Sequence, residues 1–543
     1  MHLYPTRATF HVAVAGIAMV TLGAAARLSP VVGFGGAMLL AIALGRAIAR
    51  VGVARLRSAG FEMTWADARR VRVVPRGGSI VIRSELRNGG DEPIRVSGLR
   101  PIASSLLSVT VEPDLLDLPP NAGATVDLTV RAPRVGRWGI HGLGLEVSVT
   151  PFGAKGAFEV PLLFANPLGI EVLPATLSAF VGSPRGGRTR RTAAAERPGR
   201  PAEGHDLREL RDYAPGDPFK RIAWKASARR GRLLVREMDR GDRGLIWLVV
   251  DASVELWAGP VGNAPLDLVV DDVASFAGAC LRRGDWVGLI IVASRIQAWI
   301  EPRTGATHGS ILARALASVA ETVDADRSEI DEAEVARRVV EHARPLDPRG
   351  LADLRKGDLD ALAARIDALR SRAPFSPPLP FGATLRERRL RHYLASFGIE
   401  LPPRVDGERP EAERALATSL GRLSALRPRP DFVQVWAPPP SRPDLLASQV
   451  GALRAHGIEV CWSLPPFEAG LRLPHVDRVR PGAVEISAVV NEAVRVRAHA
   501  ARERGERVLR RLGVRIVLAR TGRRAGDANR RDLQDDPSRG ESP

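Results

Sequence analysis

Cysteine and lysine are the two scarcities that frame this chain. Two cysteines among 543 residues, Cys280 and Cys461, exclude a disulfide scaffold and a cysteine-based zinc ribbon. Both sit in apolar runs (FAGACL and IEVCW), which predicts buried reduced thiols, with one intramolecular disulfide as the alternative. Of 79 basic residues only four are lysine: Lys155, Lys220, Lys225 and Lys356. The net charge of +18 is therefore almost all arginine, it is spread along the chain, and it comes with 52 Gly and 42 Pro. That pattern reads as an arginine-biased genome, and a dedicated nucleic-acid role is disfavoured. A hydrolase triad or elbow, a P-loop, a zincin motif and a dinucleotide fingerprint are all missing. Arg283-Gly-Asp285 reads as a turn before a strand rather than an adhesion motif. What is present is apolar content of 45%, enough for globular cores. At roughly 150 residues per domain the length predicts three or four domains.

Phe10 to Ala26 and Leu28 to Leu44 are two uncharged apolar runs of 17 residues, separated by Arg27. At about 1.5 Å per residue each covers about 25 Å, which predicts a transmembrane hairpin within residues 1–58. A soluble buried hairpin and a signal peptide cleaved near Ala24-Ala-Ala26 are the rivals. Arg7 precedes the first run, and Arg46, Arg50, Arg55 and Arg57 follow the second. These flanks place both ends, and the rest of the chain, on the cytoplasmic face of the inner membrane.

From about Val71 the pattern changes to short alternating runs with turn signals such as Asn88-Gly-Gly90. Residues 67–175 read as an antiparallel β-sandwich serving as spacer or binding platform, with His141 a packed or surface histidine. Residues 176–202 form a solvated linker. Its Arg185, Arg188, Arg190, Arg191, Arg197 and Arg200 suit anionic lipid headgroups or no partner at all.

Residues 203–244 begin EGHDLRELRDYAPGDPFKRIAWKASARRGRLLVREMD. Glu203, Asp206, Glu209 and Asp212 precede a basic group running from Lys220 to Arg236, and Asp217 stands at its edge. An internal salt-bridge network around the Pro215-Gly216 turn is the economical reading. An anion site stacked on Trp224 is the sharper one. A hydrolytic or nuclease site built from His205, Asp206, Asp212 and Asp217 is the third and weakest.

The run Arg208, Arg211, Tyr213, Pro215, Gly216, Asp217, Arg221, Trp224, Lys225 and Arg229 closely resembles the signature of the bacterial family known as domain of unknown function 58. The resemblance implies that these ten residues are structural or partner-binding. It also implies an α/β doubly wound domain similar to von Willebrand factor type A, over 245–323 and 430–520. The residues agree: Leu245-Ile-Trp-Leu-Val-Val250 is a continuous apolar run ending at Asp251, as a buried parallel strand requires. Helix and strand patterns then alternate through Leu464, with a last strand at Val514 to Leu518.

In folds of that kind the first strand ends in Asp-x-Ser-x-Ser, which holds a hard divalent ion. Here Asp251-Ala-Ser253-Val-Glu255 keeps two of the three positions, and Thr384 is the candidate later ligand, with Thr304 or Thr307 as substitutes. The strand Val433 to Trp436 leads into Ala437-Pro-Pro-Pro440 with no acid. A degenerate site for Mg2+ or another divalent cation is expected. Residues 324–429 read as a helical insert, a lid or subdomain beside the ligand end of the sheet, and 521–543 as a disordered tail.

The resemblance further implies a protein partner, an AAA+ ATPase of the MoxR type, acting on a client. The expected function is a membrane-anchored, non-enzymatic interaction protein. The alternative is a divalent-metal-dependent ligand binder.

Overall fold

The computed structural model describes residues 3–149, 157–177, 207–212, 222–238, 244–257, 259–319, 330–355, 357–380, 384–401 and 409–465, together with 493, 496–497, 499–500 and 502–518. The Arg-rich linker's core, His205, Asp206, Tyr213, Pro215, Gly216, Asp217, Arg221 and the tail from 521 lie outside them.

After the two-residue strand β1 (Tyr4–Pro5) come α1 (Arg7–Ala25) and α2 (Ser29–Ala59). The turn between them passes through Arg27 at φ 54°, and Pro30 starts the second helix. Both helices are long and apolar enough to cross a membrane. Their outward side chains are bare: Leu22 is 68% and Leu40 71% exposed. They touch through glycine; a Cβ on Gly35 would lie 2.8 Å from the Gly16 carbonyl oxygen, so backbone approaches backbone. The second helix corrects the expected end at Leu44. Its 31 residues span about 46 Å, because Ala, Leu and Arg are good helix formers and carry the helix on past the apolar run. The extra turns reach the β-rich region: Leu56 is buried in its core and Arg55 pairs with Glu92. Gly60, at φ 93°, then turns the chain straight into a strand.

That region holds β2 (Phe61–Trp65), β3 (Val71–Pro75), β4 (Ser79–Asn88), β5 (Ile94–Ala103), β6 (Ser108–Glu112), β7 (Leu116–Leu118), β8 (Gly123–Arg131), β9 (Gly136–Val149), β10 (Phe158–Phe164) and β11 (Leu168–Leu173). One antiparallel sheet runs β2-β4-β8-β6. The other runs β1-β10-β9-β11-β3, with β5 against β9 and β7; its β11–β3 pair is parallel. Strict alternation along β4 puts Ile82, Ser84, Leu86 and Asn88 inside. The Asn88 amide there donates to Glu92 and Pro119 carbonyls and accepts from Gly90, which fixes the predicted turn.

β12 (Leu207–Asp212) and β13 (Leu234–Met238) form a two-stranded ribbon joined through the short helix α3 (Trp224–Arg230). A six-stranded sheet follows, from β14 (Leu245–Asp251), β15 (Trp286–Val292), β16 (Ile296–Arg303), β17 (Phe432–Trp436), β18 (Glu459–Leu464) and β19 (Arg515–Leu518). Its order is β16-β15-β14-β17-β18-β19, with every pair parallel except β15–β16. Helices α4 (Pro265–Arg283) and α5 (Ala306–Ser318) pack on one face. The continuous apolar run of β14 has a simple cause: Ile246, Leu248 and Val250 enter one core, Trp247 and Val249 the other.

The first of those cores also contains Leu86, Val126, Leu128, Val130 and Ile140 of the β-rich region. The β-rich region is therefore fused to the sheet domain and is no loosely tethered spacer. A buried bidentate ion pair seals the seam: Arg134 donates to both Asp267 carboxylate oxygens at 2.9 Å.

The insert forms α6 (Glu332–Ala343), α7 (Pro348–Ala352), α8 (Leu359–Leu369) and α9 (Leu385–Phe397) around its own core of Val335, Leu362, Leu390, Tyr393 and Phe397. Of the two expectations, a lid or a subdomain beside the ligand end of the sheet, it forms a subdomain with its own core, and it docks on the β-rich region. The Ser104 hydroxyl donates to the Gly398 carbonyl at 2.6 Å, and the Glu400 carboxylate accepts from the Ser105 and Leu106 amides and the Ser105 hydroxyl. Gly398 sits at φ 70° with no room for a Cβ, which would fall 2.7 Å from the Trp138 backbone. Residues 409–425 are also reassigned. They form α10 (Arg409–Ala425), which packs on the second face of the sheet beside α11 (Pro443–Ala455).

Candidate functional site at the carboxyl end of the sheet

β14 delivers Asp251 to the carboxyl end of the parallel strands, where it is 1% exposed and paired in register with Val292. The chain turns there because the Asp251 carboxylate accepts the Ser253 amide at 2.9 Å. A 3-10 turn over Val254–Trp257 then carries Glu255. From across the sheet α10 brings a cation: Arg409 Nη1 lies 3.5 Å from Asp251 Oδ2 and 3.9 Å from Glu255 Oε2. The same guanidinium holds Glu413 through Nε at 3.1 Å and the Pro439 carbonyl through Nη2 at 2.6 Å. Glu413 in turn accepts the Ser441 amide and hydroxyl and the Arg442 amide, which pins the loop after β17.

Burial pushes the Asp251 carboxyl above its usual range, and Arg409 and Ser253 pull it part of the way back. Burial raises Glu255 as well, again opposed by Arg409, while Asp251 adds to the rise. Two carboxyl groups thus share one guanidinium at longer distances than a finished ion pair.

A hard divalent ion does not fit this donor set, because Arg409 already stands between the Asp251 and Glu255 oxygens. The later ligands fail too. Thr384 caps α9 in the insert, its hydroxyl accepting the Glu387 amide at 3.0 Å. Thr304 and Thr307 follow Arg303, which pairs with Val287 at the opposite end of the sheet from the Asp251–Val292 pair. Among the described residues no group of three His, Cys, Asp or Glu side chains converges for a metal.

The signature residues divide. Arg208 and Arg211 lie on β12 and Asp212 ends it. Trp224, Lys225 and Arg229 lie on α3, with the Trp224 indole 61% exposed. Ser227 ties this helix to the ribbon: its hydroxyl accepts the Leu234 amide at 2.8 Å. The expected salt-bridge network falls outside the described residues. Cys280 and Cys461 are buried and form no disulfide. His141 packs edge-on to His342 of the insert, ring centroids 5.0 Å apart. Arg409 and Glu413 escaped sequence reading. The only signal was an Arg and an acid four apart at a helix start, a spacing shared by many solvent-facing pairs.

The family described as "Protein of unknown function DUF58" matches residues 209–350, so the chain carries a DUF58 domain there. Uncharacterised proteins of Mycobacterium tuberculosis and Mycobacterium bovis are 31% identical over 153 residues, 28% of this chain and 46% of theirs. The chain thus spans about half the length of the curated relatives it matches. Among solved structures, a PapD-like domain of human CEP192 is 14% identical over 22% of this chain and 87% of its own, with a TM-score of 0.17. A Caenorhabditis elegans MSP family member is 10% identical over 21% and 97%, with a TM-score of 0.15.

Proposed function

We propose that this DUF58-domain protein is a non-enzymatic, membrane-tethered interaction protein. In this reading α1 and α2 cross the inner membrane and the remaining domains face the cytoplasm. The β-rich region is a sandwich acting as a rigid stalk, and the six-stranded sheet is a von Willebrand factor A-like binding domain. The partner is a MoxR-type AAA+ ATPase that supplies the energy for work on a client.

The observation that carries the proposal is the unbroken mechanical path from α2 to the sheet. Leu56 of the long helix enters the same apolar core as β14 and α4. In this reading a position set at the tether is passed to the sheet through that shared packed core. The strand order, with one antiparallel edge beside five parallel strands, supports the fold assignment. The Arg409 guanidinium at Asp251 favours direct protein contact over a metal-borne ligand. Trp224, exposed beside Lys225 and Arg229, offers the partner an aromatic anchor in a basic surround.

The test is affinity capture of the full chain from solubilised membranes, with and without ATP. An AAA+ ATPase is expected to co-purify, and Trp224→Ala is expected to weaken its recovery at least about tenfold. Its absence under both conditions would end the partner assignment. Cleavage of the sheet domain by protease added outside intact cells would end the topology.

A further inference from the structure

We propose that the cleft between the β15–β16 turn and the exposed side of α10 binds a small polyanion carrying adjacent phosphate-type oxyanion groups. The cleft is an open groove of about 450 Å³ lined by Ser294, Arg295, Glu411, Arg414, Thr418 and Arg422, with Ile296 and Ala415 as its apolar members. That volume suits a small phosphorylated molecule.

Three guanidinium groups and two hydroxyls face one carboxylate. Arg414, Thr418 and Arg422 recur every four residues, so they form one ridge along α10, with steps of about 6 Å. Ser294 and Arg295 face that ridge from the turn that reverses β15 into β16. Arg414 and Arg422 make no ion pair with any described residue, whereas two other charged groups of α10 have close partners: Arg409 pairs with Asp251 and Glu413, and Glu413 with the loop after β17. Like charges brought to one cleft repel, and a bound anion removes that cost. A guanidinium fork presents paired N–H donors that match a phosphate edge. Glu411 at one end repels a fully anionic ligand and accepts a hydroxyl or amine, so the favoured class is a phosphate ester with a hydrogen-bond donor beyond its phosphates. This site lies on the flank of the sheet and uses no residue of the Asp251 cluster.

Two sources supply that chemistry: a soluble phosphate ester and a lipid headgroup. The full chain is placed in neutral phosphatidylcholine nanodiscs and titrated with inorganic pyrophosphate by calorimetry and thermal unfolding. A second preparation carries phosphatidylglycerol instead. Binding is expected to raise Tm by about 2 °C at a tenfold excess over Kd. Arg414→Gln with Arg422→Gln is expected to weaken it at least about tenfold, and Glu411→Gln to strengthen it severalfold. Arg427→Gln with Arg429→Gln, elsewhere on the chain, is the control for general charge.

Pyrophosphate binding lost in the Arg414/Arg422 variant supports the site with a soluble ligand. Protection by phosphatidylglycerol alone, lost in the same variant, supports it with a lipid headgroup. No binding of either probe at about 10 mM, or equal loss in the Arg427/Arg429 control, overturns the proposal. Circular dichroism of each variant separates lost binding from lost fold.

Discussion

Asp267 and Asp251 are both almost completely buried, and the protein treats them in opposite ways. Asp267 receives a bidentate Arg134 at 2.9 Å and the amides of Gly262 and Ala264, so its oxygens are satisfied. Asp251 shares one guanidinium with Glu255 and Glu413, at 3.5 Å, and its carboxyl is raised by burial. The first arrangement welds two regions together. The second leaves a carboxyl that is held but not saturated, at the end of the sheet where ligands approach. The difference is that one buried charge is fully paired across a seam, while the other shares its only cation with two further carboxylates.

The weld should be the more costly to break. Arg134→Ala leaves Asp267 charged and buried, and a loss of about 3–5 kcal/mol is expected, read by chemical denaturation. The β-rich region and the sheet should then unfold in separate steps. A single transition with a loss below about 1 kcal/mol would show that the shared apolar core alone holds the seam. Arg409→Ala is the matching cut at the other end. Glu413 keeps three donors from Ser441 and Arg442, and Asp251 protonates readily, so a smaller loss of about 1–3 kcal/mol is expected. Equal losses in the two variants would erase the distinction between the two aspartates.

The sequence exposed one side of this contrast better than the other. Asp251 was legible because a continuous apolar strand has to stop somewhere, and it stops on an acid. The two apolar helices and the β-α-β rhythm were legible for the same reason: each is a periodic pattern within a short window. Arg134 and Asp267 lie 133 residues apart, and Ser104 meets Gly398 across 294, so neither seam leaves a local trace. The length of α2 was hidden by its own arginines, which read as the flank of a membrane run although they continue the helix. The docking of the insert was hidden because its surface-like residues Ser105 and Glu400 become partners only when the fold brings them together.

The seam between insert and β-rich region adds a third way of handling a buried ionisable group, which is to keep it neutral. Burial lowers His141 to about 4, and burial together with His141 lowers His342 to about 3, while His342 Nδ1 meets the Tyr393 hydroxyl at 3.0 Å. A folded-state value below the unfolded one means that these histidines contribute stability above about pH 6.5, lost as pH falls toward 4 and 3. Insert docking should therefore weaken by up to about 1.4 kcal/mol per histidine per pH unit between about pH 6 and 4.5, visible as faster proteolysis within 330–401. His342→Phe should roughly halve the slope of that acid limb and leave the neutral-pH value little changed. An unchanged slope in the variant would place the acid sensitivity elsewhere.

The smallest expected effect carries the sharpest sign. The Asp251 carboxyl is raised in the folded state, so its ionisation costs stability as pH climbs from the ordinary carboxyl range through the raised value. Asp251→Asn removes that cost and leaves Arg409 with Glu413 and the Pro439 carbonyl. The variant should match the native chain near about pH 3 and gain on it as pH rises, ending within about 1 kcal/mol of it at about pH 8. Asp267→Asn, cut from a bidentate ion pair, should instead lose stability at neutral pH, read by the same denaturation. A gain in the Asp251 variant beside a loss in the Asp267 variant, for two aspartates buried to the same depth, would separate an ion pair that the fold needs from a carboxylate that costs it stability; losses in both would mean that Arg409 satisfies Asp251 as completely as Arg134 satisfies Asp267.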